Sequence, residues 1–116
     1  MCGIAIADVF DVEPDIREGG LTELRKVTIS DGIDVVHVTW KPGHQSSPQA
    51  HDDQHELLTI VSGTLLLYGD NADEPRTAEA GTVTDIPPGE VHGHAVPRDA
   101  SQAVVAWAIF FPAVSV

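Results

Sequence analysis

Hydrophobic positions in this chain come in short runs broken by polar residues and turn formers, and no stretch of ten holds a helical period with capped ends. The run at 33–40 is rich in β-branched residues, among them Val35, Val36, Val38 and Thr39, which suits a pleated, half-buried surface. A preceding run at 21–29 joins it through Ser30-Asp31-Gly32, a hairpin turn signal. Residues 56–62 and 64–68 read as a second hairpin bent at Gly63. Further strands are expected at 82–86, 91–96 and 104–111, with the last two separated by the turn residues 97–101. Pro87 and Pro88 stop the strand before them, because proline cannot donate to a ladder. The acidic stretch at 69–75 reads as a solvated loop, and 11–18 as an irregular arm. Eight or so strands at this spacing predict an all-β sandwich or barrel. At 116 residues the chain supports one core and not two. The expected organisation is a single domain over 1–116, with 1–20 an N-terminal arm or edge strand.

A hydrophobic share of 42% allows a packed core and argues against disorder. The formal net charge of −12 repels phosphate backbones and anionic headgroups, so neither nucleic acid nor a membrane surface is expected as partner. No apolar run approaches membrane-span length, and Asp8 and Asp11 interrupt the start too early for a signal peptide. One cysteine makes no internal disulfide, which fits a reducing, cytoplasmic setting. That cysteine, in Met1-Cys2-Gly3-Ile4, resembles the start of class II glutamine amidotransferases. Those enzymes need a far longer layered α/β domain, so Cys2 reads as a small residue in a frayed strand.

Chemistry concentrates in two segments framed by glycines. The first runs Gly43, five residues, Gln49-Ala50-His51, four residues, Glu56, six residues, Gly63. The second runs Gly81, five residues, Pro87-Pro88-Gly89, two residues, His92. Strand alternation puts Gln49 and His51 on one side, and Glu56 with Leu58 and Ile60 on the inward face.

Together, in this order and about thirty residues apart, the segments resemble the two motifs of the cupin superfamily, in detail over 43–96. Gln49 stands where the family has its first histidine, and Val96 where it closes on asparagine. The resemblance implies a double-stranded β-helix, or jelly-roll barrel. It also makes His51, Glu56 and His92 metal ligands, with Gln49 in the fourth place or turned away to hydrogen-bond a substrate. Two imidazoles and a carboxylate with open positions suit iron(II), and the same donors suit manganese, nickel or zinc.

Among the other histidines, His55 has the opposite parity to Glu56 and is expected to face outward, becoming a ligand only on a one-residue register shift. His94 shares the parity of His92 and is expected at the mouth, either as a proton carrier, with Glu56 as a second proton-handling group, or as a histidine that supports the ligands or faces substrate. His44 is expected in solvent, and His37 in the core or on a sheet face.

Three function classes follow. The leading one is a metal-dependent enzyme acting on a small organic molecule, with dioxygenase chemistry ahead of isomerase or polyketide-type cyclase chemistry. A metal-free ligand-binding cupin and a structural protein are the others. The run Trp107-Ala108-Ile109-Phe110-Phe111, apolar on both faces, predicts a homodimer.

Overall fold

The structure, a computed structural model, describes residues 3–69 and 74–112; Cys2 lies outside them. The described residues form nine strands: β1 Asp15–Arg17, β2 Thr22–Ser30, β3 Ile33–Trp40, β4 Gln54–Ser62, β5 Thr64–Tyr68, β6 Arg76–Glu79, β7 Val83–Ile86, β8 Gly93–Ala95 and β9 Val104–Pro112. Six form one sheet in the order β1-β2-β3-β9-β4-β7, and three form the other, β6-β5-β8. All named pairings are antiparallel, as a jelly roll requires.

Alternation along the strands builds the core. On β3 the inward residues are Val36, Val38 and Trp40; on β9 they are Ala108, Ala106 and Val104, directly opposite in register. Strand β4 adds Leu58 and Ile60, which face the same two alanines from the other side. Small alanines on the central strand let large side chains from both neighbours close over it. Leu65 and Ala78 of the smaller sheet, with Val96 just past β8, complete the buried core cluster. Each fully buried leucine, Leu58 and Leu65, contributes about 1.5–3 kcal/mol from its burial alone.

The β2–β3 hairpin forms as expected, through a turn with Gly32 at φ 77°. The second expected hairpin does not. Strands β4 and β5 lie in different sheets, and the chain crosses between them at Gly63, φ 84°. Continuous apolar sequence on both sides of a glycine looks like a hairpin locally. Here both strands bury a face, Leu58 on one and Leu65 on the other, and facing sheets satisfy that better than pairing. The partners of β5 are β8 and β6, the latter with four residues that bury only Ala78 and carry no hydrophobic signal.

Strand β9 is central, not an edge. Its outward Trp107 packs edge-on against His37 at 4.8 Å and Phe10 at 6.2 Å. The N-terminal segment therefore covers part of the outer face that the sequence assigned to a partner chain, while Ile109 stays 37% exposed. Arg25 lies over the Phe10 ring and donates to the Val12 carbonyl, tying that segment down.

His37, on this outer face, titrates below the ordinary histidine range because burial disfavours its charged form; the Arg25 charge adds to the effect and Glu23 opposes it. The unfolded chain thus binds more protons around the ordinary value of 6.5, so stability is full above it and falls as pH drops towards the folded-state value. His37→Gln should remove that contribution. Urea midpoints between about pH 7.5 and pH 5 should then decline less in the variant than in the native protein; parallel declines would refute it.

Candidate metal centre

The two glycine-framed segments meet at one backbone bridge. Gln49 N donates to His92 O and His92 N to Gln49 O, both at 2.8 Å. Gly89, at φ 80° after the double proline, donates its N–H to His51 O at 3.0 Å. These bonds hold His51 and His92 side by side. Strand β4 then brings in Glu56, buried at the head of the inward row that continues through Leu58 and Ile60.

The ligand atoms of His51, Glu56 and His92 all lie within 4.8 Å of one another. His51 Nε2 is 3.7 Å and His92 Nε2 3.5 Å from the same oxygen, Glu56 Oε1. His92 Nδ1 donates to the Glu90 carbonyl at 3.0 Å, which orients the ring and leaves Nε2 for the centre, the usual outer support of a metal-binding imidazole. The neighbouring Glu56 carboxylate raises the His92 pKa, against an opposing effect of burial. The His51 and Phe110 rings pack in a T-shaped arrangement with centroids 5.4 Å apart.

A divalent ion fits this set. A buried carboxylate between two imidazoles is costly without a compensating cation. Three donors at this spacing can converge on one first-row ion with bonds of about 2.1 Å. Gln49 is exposed and lines the same cavity, as does Gln54, which the sequence reading did not single out. His55 does face away from this cluster: it pairs with Asp85 on the sheet exterior and stacks on Phe111.

The cavity holds about 570 Å³. Its lining combines apolar side chains, Leu24, Val36, Val38, Ala108 and Phe110, with His51, Glu56 and His92 and with a polar wall that includes Glu18, Thr22, His44 and His94. That polar wall corrects the reading of His44, which is 4% exposed rather than solvated. Its Nδ1 meets Glu18 Oε1 at 2.5 Å and its Nε2 meets His94 Nδ1 at 2.8 Å. Trp40 stacks on His44 at 5.3 Å and packs against His94 at 4.3 Å. His94 lines the cavity as its parity suggested, but burial, aided by the His44 and His92 charges, pushes it down to about 3. Near neutrality its ring is uncharged and works as a hydrogen-bonding group rather than as an imidazolium.

Sequence reasoning missed Glu18. It is the one described non-glycine residue with positive φ, 59°, followed by Gly19 and Gly20 at 64° and 98°. Such backbone costs a non-glycine residue of the order of 1–2 kcal/mol, and here it delivers a carboxylate to His44, Thr22 and the Gln45 N–H. The available signal was a charged residue directly before two turn glycines.

The cupin domain model matches residues 36–109, more than half of the chain, so the chain belongs to the cupin family. Among solved structures it is similar to a predicted oxalate decarboxylase from Thermotoga maritima, with TM-score 0.78 and 14% identity over 93% of this chain and 99% of that one. It is also similar to the polyketide cyclase RemF from Streptomyces resistomycificus, with TM-score 0.74 and 22% identity over 94% and 79%. KdgF from Halomonas sp. gives TM-score 0.73 and 17% identity over 90% and 92%. At these identities the likeness shows the fold. No curated protein matches the sequence, and no helix among the described residues is long and apolar enough to cross a membrane.

Proposed function

We propose that this cupin is a metal-dependent enzyme acting on a small organic molecule, with oxygenase-type chemistry as the leading reading. The observation that carries it is the convergence of His51, Glu56 and His92 in the lining of a cavity large enough for a small substrate. These three residues would hold one divalent ion, of iron, manganese, nickel or zinc. Such an ion supplies Lewis acidity and, if iron, redox chemistry with oxygen. The chain's own residues do the rest: Leu24, Val36, Val38 and Phe110 exclude water from the substrate body, and the polar wall orients it. Gln49, exposed beside the cluster, is placed either to complete the ligand set or to hydrogen-bond the substrate.

A second reading has a specific basis. Structural neighbours include a polyketide cyclase as well as an oxalate oxidase, so this fold hosts differing chemistries. A screen of small enols, hydroxy acids and keto acids against iron-loaded and zinc-loaded protein, with and without oxygen, separates the two. Turnover needing both iron and oxygen supports the oxygenase; turnover by the anaerobic zinc form replaces it with isomerase or cyclase chemistry. Binding without turnover in any form overturns the enzyme reading in favour of a ligand-binding cupin. We further propose cytoplasmic location and a homodimer. Light scattering at micromolar concentration should give twice the chain mass, and a monomer would reject the dimer.

A further inference from the structure

With Glu18 ionised and both rings uncharged, the string from Glu18 through His44 to His94 has one arrangement of its hydrogens. Glu18 accepts from the Thr22 hydroxyl at 2.7 Å and from the Gln45 N–H at 3.0 Å. Burial would raise its pKa, but these bonds and His44 together hold it below the ordinary carboxylate value. It is thus a carboxylate, which only accepts, so the His44 hydrogen sits on Nδ1. His44 Nε2 is then a bare acceptor, and the 2.8 Å bond to His94 requires the His94 hydrogen on Nδ1. That leaves His94 Nε2 with a lone pair. No buried side-chain nitrogen or oxygen among the described residues lacks a partner, and among those residues none partners His94 Nε2. It therefore opens onto the cavity that His94 lines. His92 and His94 share a face two residues apart, roughly 7 Å along the strand.

We infer that Glu18 and His44 are positioning residues that lock His94 in the Nδ1–H tautomer, so that the cavity selects a ligand with a hydrogen-bond donor. Its Nε2 acceptor is a fixed recognition point for an O–H or N–H carried several ångströms from the group that meets His51, Glu56 and His92. The ligand-class part rests on the metal reading above; the tautomer does not. The arrangement predicts discrimination against methylated analogues, because an ether at that point leaves the acceptor facing an acceptor. Leu24, Val36 and Phe110 would pack the ring or chain that connects the two ends.

Two measurements test this. The first is ¹⁵N–¹H correlation spectroscopy of the histidine rings in metal-free protein at neutral pH. His94 should show a pyrrole-type Nδ1 and a pyridine-type Nε2, and His44→Phe or Glu18→Gln should shift it to a mixture of tautomers. His51→Ala should leave it unchanged, which separates this result from any failure of the metal reading. A protonated Nε2 in the native protein, or a tautomer indifferent to both substitutions, overturns the lock. Thermal melts of each variant accompany the spectra, and Glu18→Asp, which keeps the carboxylate, should retain more of the native pattern than Glu18→Gln.

The second measurement is calorimetric binding of 3-hydroxybenzoate and 3-methoxybenzoate to zinc-loaded protein. The hydroxyl compound should bind about tenfold more tightly, and His94→Phe should abolish the difference. Equal affinity in the native protein, including failure of both to bind, overturns the ligand class.

Discussion

Alanine at His51 or His92 should weaken binding of a divalent first-row ion by at least about 100-fold. Supporting residues outside a metal's ligand set already cost 10–100-fold when lost, and a direct ligand costs more. The two imidazoles share one Glu56 oxygen at 3.7 Å and 3.5 Å, so removing either opens the set on one side. The measurement is metal analysis of protein purified without chelator, followed by titration of the chelator-stripped form with zinc or manganese. Metal content unchanged in both variants would refute the assignment. His55→Ala serves as the control: it breaks an exterior pair with Asp85 and should leave affinity within about twofold. Gln49→His belongs in the same titration. If the amide is a ligand, imidazole in its place should tighten binding, since imidazole is the stronger donor for late first-row ions. If Gln49 instead meets the substrate, metal affinity should hardly move.

The convergence of His51, Glu56 and His92 follows the pattern that the cupin resemblance implied, and it depends on local things: strand parity, a double-proline turn and glycines at fixed offsets. Glu56, Leu58 and Ile60 share a face through alternation alone, and the structure keeps them there. What was not legible depended on distant parts of the chain. His44 looked solvent-exposed beside the Gly43 turn, yet Glu18, from 26 positions earlier, closes over it and Trp40 stacks on it. Whether β5 pairs with β4 or with β6 is likewise decided by which faces can be buried together, and β6 carries almost no hydrophobic signal of its own. The outer aromatic stripe of β9 was assigned to a partner chain because nothing in the sequence shows Phe10 folding back onto Trp107.

Glycine spacing was read as a family signature, and at Gly63 the structure supplies a physical reason for it. Gly63→Ala should destabilise the protein by about 3 kcal/mol, the sum of two effects. Its φ of 84° lies in the left-handed region, where a side chain costs roughly 1–2 kcal/mol. A Cβ would also sit 2.6 Å from Ala103 O and 3.0 Å from Val104 Cα, backbone atoms at the start of central β9 that cannot swing aside. Forcing such a contact costs a further 1–3 kcal/mol. Gly81→Ala isolates the first effect: its φ is 89°, but a Cβ there meets nothing within 4 Å. Differential scanning calorimetry should therefore lower Tm by roughly 12–15 °C for Gly63→Ala and about 5 °C for Gly81→Ala. The site chemistry should be spared, because Gly63 is at the far end of β4 from Glu56. Folded Gly63→Ala protein at low temperature should bind metal with native affinity. Equal melting losses in the two variants would show that the crossing between sheets tolerates a side chain at Gly63, and would remove steric closure as the reason for glycine there.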